Sequence, residues 1–194
     1  MTTHRQPIRC KPSARLGRPF GLLATILLMA AGTAGAEPLD TIAGVDVPRY
    51  MGRWYELARF PNWFQKHCVG DSHADYALEK DGTVRVTNRC RLADGTVDVA
   101  SGVARQIGGA DSPKLEVRFA PAWLAFIPAV WGDYWIIDLD PDYSLVAVGE
   151  PRREYLWVLS RSPRIDAPAY AALLQRLSSK GFDIRKLETT RHGE

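Results

Sequence analysis

What is scarce in this chain narrows its function first. Only four histidines occur in 194 residues. His4 lies in a basic leader and His192 in the tail, which leaves His67 and His73. That pair has no third ligand at any zinc-motif spacing, so no metal site is expected. The two histidines bracket Cys68, which invites a thiol nucleophile, but no orienting acid is indicated. No stretch beyond residue 36 concentrates Lys and Arg on one face, so no nucleic-acid partner is expected. Acid pairs such as Asp138 and Asp140 read as a strand end and a turn. No repeat, low-complexity tract or linker is present, and nothing calls for a cofactor. The expectation is a protein that is not an enzyme.

Cysteine is equally sparse, with three in all. Arg5, Arg9, Lys11, Arg15 and Arg18 form a basic start without one acid. An apolar run follows, then small residues ending Ala34-Gly35-Ala36. This order describes a secretory signal peptide over residues 1–36, cleaved after Ala36. The competing reading is an uncleaved anchor, because residues 19–36 carry no charge and approach a spanning length. The last third of that stretch is small rather than greasy. No cysteine follows the run, and Cys10 lies ahead of it, so no thiol is placed for an N-terminal lipid. Removing residues 1–36 leaves 20 basic and 22 acidic side chains, a net charge of −2. The basic balance of the whole chain therefore comes from its leader.

Cys68 and Cys90 remain, an even number in an exported protein, and a disulfide is the natural reading. Two free thiols are the alternative. Residues 37–194 would then form a single domain with ample core.

Alternation with a period of two recurs through that domain. Trp54, Glu56 and Ala58 share one face of a first strand. Ala74, Tyr76 and Leu78 share a face of a second. Asp81-Gly82 turns into Val84, Val86 and Asn88. Asp94-Gly95 turns into Ala100, Gly102 and Ala104. A loop over residues 108–113 precedes Leu115, Val117 and Phe119. Residues 134–139 form an apolar strand, and two further strands cover residues 145–149 and 155–160. The fold class is all-β: eight antiparallel strands closing as an up-and-down barrel around space for one small ligand. One helix is convincing. Asp166 caps it, Pro168 fits its first turn, and Gly181 stops it. Tyr170, Leu173, Leu174 and Leu177 give it a stripe to pack on the outside of the barrel. Residues 184–187 are read as a short extended segment, and the tail from Thr189 as frayed.

The inward set should hold the ligand. Glu56, Ala58, Tyr76, Asn88, Ala100, Gly102, Val117, Tyr134, Ile136, Ala147 and Trp157 are the expected lining. Glycine and alanine leave room, while Tyr and Trp offer flat apolar area with polar tips. Glu56 and Asn88 are placed to orient a polar head. A buried Glu56 needs a partner, expected to be a tyrosine hydroxyl or water. Plain core packing is the alternative for each position. A second aromatic set, Phe60, Trp63, Phe64, Trp123, Leu124, Phe126, Ile127, Val130 and Trp131, lies in expected loops at one barrel end. It reads as a rim that admits acyl chains or touches a bilayer, or as a lid or dimer contact.

The segment Tyr50-Met51-Gly52-Arg53-Trp54-Tyr55-Glu56-Leu57-Ala58-Arg59-Phe60-Pro61-Asn62-Trp63 resembles the first signature motif of the lipocalins. Leu139-Asp140-Pro141-Asp142-Tyr143 resembles the family's second motif, and Leu159-Ser160-Arg161 its third. The chain looks most like the bacterial branch, whose relatives include apolipoprotein D. Tyr-x-Leu from Tyr76, Val-x-Asn from Val86 and the run Tyr155-Leu156-Trp157-Val158 fit that branch. The resemblance implies structural roles for Gly52, Trp54, Asp140, Tyr143 and Arg161. Trp54 and Arg161 are expected to stack as a cation–π pair at the closed end.

It also implies a binding protein for a fatty acid, lysophospholipid or similar amphiphile in the cell envelope. Many bacterial members carry a lipid on an N-terminal cysteine. This chain departs there, which favours a soluble periplasmic form, loosely associated with the outer membrane at most, with a homodimer also open. Two other functions stand beside this reading. One is a lipocalin-fold enzyme using Cys68 on a lipid or reactive small molecule. The other is an interaction module working through the aromatic rim.

Overall fold

A computed structural model describes Met1 and residues 37–193. The expected export signal and its cleavage site lie outside the described residues. The order of elements is α1 (Val47–Tyr50), β1 (Gly52–Arg59), β2 (Gly70–Leu78), β3 (Val84–Arg91), β4 (Val97–Gln106), β5 (Lys114–Arg118), β6 (Gly132–Leu139), β7 (Leu145–Gly149), β8 (Leu156–Ser160), α2 (Ala167–Ser179) and β9 (Glu188–Thr189). Strands β1 to β8 pair antiparallel with their sequence neighbours, and β1 also pairs with β8. The sheet therefore closes into an eight-stranded barrel, with β9 added beside β1. Closure leaves the barrel strands no free edge across the β1–β8 seam.

Two of the hairpins are built alike. At Asp81-Gly82-Thr83, the Asp81 carboxylate accepts from the Thr83 amide at 3.0 Å and the Thr83 hydroxyl at 2.7 Å. At Asp94-Gly95-Thr96 the same bonds measure 2.9 and 2.6 Å. Gly82 and Gly95 sit at φ of 82° and 85°, where a side chain would be strained. An Asp-Gly-Thr triplet thus encodes both turns.

Apolar side chains collect on both sides of the barrel wall. Inside lie Trp54, Val86, Leu115, Ile136 and Val148. Outside, between wall and α2, lie Leu57, Ile137, Leu156, Val158, Leu173 and Leu177. Asp166 caps α2 by accepting from the Ala169 amide at 3.1 Å. Leu173 and Leu177 are fully buried. Each contributes about 2 kcal/mol by leaving water. Arg176 then ties the helix to β6 through two bonds to Asp138, at 2.7 and 2.9 Å.

The C-terminal segment differs from its expected form. Ile184–Lys186 is a turn of 3-10 helix rather than extended chain, because Asp183 caps the Arg185 amide. The extended residues come two positions later, at Glu188–Thr189, opposite Ala58 and Arg59. The tail is not frayed. Thr190 is buried, His192 meets the Glu56 carbonyl at 2.7 Å, and the Gly193 amide donates to Asp71 at 2.7 Å. The lead-in also holds a helical turn that alternation does not signal, α1, capped by Asp46.

Candidate functional site

The hairpin connections sort into two ends. Residues 60–69, 92–96, 119–131 and 150–155 lie at one end, and residues 79–83, 107–113 and 140–144 at the other. The lead-in crosses the second end. The Val45 amide donates to the Asp111 carbonyl at 2.9 Å, and the Asp46 amide donates to the Tyr143 hydroxyl at 2.9 Å. That crossing closes the barrel and leaves the first end as the mouth.

Between them lies a cavity of about 900 Å³. Glu56, Tyr76, Asn88, Ala100, Val117, Tyr134, Ile136 and Trp157 line it, as inward alternation leads one to expect. Ala58, Gly102 and Ala147 do not, and each miss has a physical cause.

A β-bulge interrupts β1 between Glu56 and Ala58 in its pairing with β8. One extra residue flips the alternation. Ala58 therefore joins Val158 in the core beneath α2. Ala147 sits in β7, whose five residues are all buried. Such a strand has no polar face to show which side is inward. Its inward residues are Val146 and Val148, while Ala147 faces the helix side. At Gly102 an added Cβ would meet the Arg118 carbonyl at 2.7 Å and the Phe119 ring at 2.8 Å. Gly102 admits that ring, and Phe119 contributes the cavity wall in its place.

Glu56 is buried and bonded, but not to tyrosine. Its carboxylate accepts from Arg59 Nη1 at 2.7 Å, Gln65 Nε2 at 2.8 Å and the Thr190 hydroxyl at 2.5 Å. Gln65 passes the network on by accepting from Trp157 Nε1 at 2.9 Å. The same bulge makes this possible, because it returns Arg59 to the Glu56 side of the strand. Arg59, Gln65 and Thr190 were not read from the sequence. The available signal was the buried carboxylate itself, which demands a cation. Ser72 Oγ is buried in the cavity wall without a partner among the described residues.

Three phenols gather toward the closed end. Tyr134 is joined to Tyr50 at 2.8 Å and to Tyr76 at 3.0 Å, hydroxyl to hydroxyl. Tyr50 and Tyr76 are buried, and Tyr134 keeps partial exposure where it lines the cavity. Burial pushes all three phenols up, Tyr76 to about 12, so they stay protonated donors at neutral pH. Tyr50 comes from α1 and was missed, because the lead-in carries no strand or helix periodicity.

The mouth is aromatic. Trp63 and Phe64 meet edge to face, Tyr155 stacks on Trp157, and Trp131 lies under Arg105 at 4.0 Å. Trp123 and Phe126 stand 71 % and 79 % exposed beside it. Phe60 is the exception among the expected rim residues. It is buried beneath α2, against Phe182.

Cys68 and Cys90 form a disulfide, with Cα atoms 5.5 Å apart. The bond ties the mouth segment to β3. Both sulfurs are consumed, so Cys68 offers no thiolate, and the enzyme reading built on it is withdrawn. His67 pairs instead with Asp98 at 2.9 Å.

A family model described as a lipocalin-like domain matches residues 45–192. The chain belongs to the lipocalin family. Temperature-induced lipocalin-1 of Arabidopsis thaliana is 40 % identical over 156 residues, covering 79 % of this chain and 83 % of that protein. Apolipoprotein D of Mus musculus is 34 % identical, covering 75 % and 76 %. The outer membrane lipoprotein Blc of Escherichia coli K12 is 31 % identical, covering 87 % and 93 %. Among solved structures, insecticyanin from the tobacco hornworm superposes with a TM-score of 0.63 at 16 % identity, over 80 % of this chain and 85 % of that one. That likeness concerns the fold. In this lipocalin the Arg161 guanidinium lies 4.0 Å from the Trp54 ring centre. Trp54 Nε1 donates to the Tyr50 carbonyl at 2.8 Å, so the pair also anchors α1. Lipocalins hold small hydrophobic ligands, and the cavity has the form that such binding needs.

Proposed function

We propose that residues 37–194 take one fatty acid or lysophospholipid into the barrel and carry or store it in the cell envelope. The single observation that carries this reading is the cavity of about 900 Å³, shut at one end and opening through an aromatic mouth at the other. Apolar side chains form most of its wall. Burial of an acyl chain would supply most of the affinity, at about 0.8 kcal/mol per methylene. The Glu56–Gln65–Trp157 network and Asn88 stand ready for the polar head. Export by residues 1–36, without an acylated cysteine, would deliver a soluble periplasmic form. The exposed Trp63, Trp123 and Phe126 supply a surface for peripheral contact with the outer membrane. A second copy of the chain is the rival occupant of that surface.

Tryptophan emission tests the reading directly, because Trp131 and Trp157 line the cavity. Titration of delipidated residues 37–194 with hexadecanoic acid and with a lysophospholipid should change emission and saturate at one ligand per chain. No saturable change with either would overturn the proposal.

A further inference from the structure

The tyrosine cluster holds one more proton than it uses. Three hydroxyls bring three protons, and a chain of two bonds, Tyr50–Tyr134 and Tyr134–Tyr76, consumes two. Whichever way the chain is oriented, one O–H remains. Among the described residues no other acceptor is bonded to these phenols. Val45, Val47, Leu115 and Ile136 pack in the same cluster and line the same cavity as the three phenols, and they offer apolar side chains only.

The charge of Arg161 reaches Tyr50 and Tyr76, but its side chain does not line the cavity. Arg161 gives its N–H groups to the carbonyls of Arg53, Arg49, Tyr50 and Tyr143. A carboxylate placed among the phenols would be desolvated with one spare O–H and no guanidinium N–H bonded to it, whereas a neutral oxygen needs only that one donor. A neutral oxygen fits that chemistry, and a charged head does not.

We propose that the Tyr50–Tyr134–Tyr76 cluster recognises a neutral oxygen, such as a hydroxyl or carbonyl, at the buried end of the ligand's chain. The inference rests on the carrier reading above and narrows its ligand to oxygenated acyl chains. The charged head stays toward the mouth, and the chain's far oxygen accepts the spare phenol proton. A plain methyl end would displace any water from the phenols and return no bond.

The test compares hexadecanoic acid with its ω-hydroxy derivative, by displacement of a fluorescent fatty acid from residues 37–194. A second protein carries Tyr50→Phe, Tyr76→Phe and Tyr134→Phe together. That variant removes every hydroxyl at once and keeps the rings, so it strands no partner. The native chain should prefer the hydroxy acid by roughly two- to tenfold. The triple variant should reverse the preference, because the ligand hydroxyl is then buried unpaired. Equal ratios in the two proteins overturn the inference and leave the carrier reading standing. Absence of binding by either acid to the native chain overturns both. Should the triple variant not fold, the native chain decides alone: equal affinities, or preference for the plain acid, refute the inference.

Discussion

Arg161 lies over Trp54 at 4.0 Å and gives its N–H groups to four backbone carbonyls at the closed end. One side chain thereby joins the end of β8 to the start of β1, to α1 and to the turn at Tyr143. Stacking over the ring and planar multidentate donation together demand a guanidinium. Arg161→Ala should cost about 3 kcal/mol, from the lost cation–π contact and the orphaned carbonyls. Arg161→Lys should recover only part. Urea unfolding monitored by tryptophan emission checks this, as a lowered midpoint with unchanged slope.

Glu56 and Arg59 form a second closed relationship, with side chains 4 % and 11 % exposed. Breaking a buried pair from one side leaves a charge in a dry place. Glu56→Leu or Arg59→Met alone should destabilise by about 3 to 5 kcal/mol. The two together should cost clearly less than their sum, because neither charge is then stranded. A double-mutant cycle by chemical unfolding measures the difference. Strict additivity would contradict the pairing.

The tyrosine cluster makes stability fall at alkaline pH. Burial raises the folded pKa of Tyr76 from 10.0 to about 12 and raises those of Tyr50 and Tyr134 as well. The unfolded chain therefore releases these protons first. The stabilisation is complete below about pH 10 and is lost as pH climbs through the folded values. For Tyr76 alone the loss is on the order of 3 kcal/mol. Unfolding free energies measured from pH 8 to 12 should decline steeply in native protein. The triple phenylalanine variant should show a shallower decline.

Ala104 is buried and lines the cavity. Ala104→Phe should occupy space that a ligand chain needs. Exclusion of about two methylenes costs roughly 1.6 kcal/mol, about fifteenfold in affinity for a fatty acid. The fold should persist, since the cavity has room for the ring. Fluorescence titration beside a thermal melt separates lost binding from lost structure. Gly102→Leu is the wrong instrument, because its side chain would strike the Arg118 carbonyl and the Phe119 ring.

Most of the barrel was legible because water contrasts one face of each strand with the other. Strands with a clear polar face, such as β3 with buried Val84 and Val86 beside exposed Arg85, show their inward side in the sequence. The failures sit where that contrast vanishes or slips. β7 is buried throughout, so Ala147 could not be assigned a side. The bulge after Glu56 moved Ala58 out and brought Arg59 in, and no local residue marks a bulge there. Gly102 suggests open space in the sequence, although the Phe119 ring fills it. Tyr50 and Thr190 reach the site from outside the alternating strands, so strand periodicity could not find them. The Trp54–Arg161 stack came from family resemblance, since nothing local links residues so far apart.

Native mass spectrometry of residues 37–194, before and after organic extraction, addresses the binding reading most directly, with lipid analysis of the extract. A single amphiphile per chain, lost on extraction and restored by added fatty acid or lysophospholipid, is the expected result. A barrel that is empty as isolated and also ignores both added lipids would contradict the account.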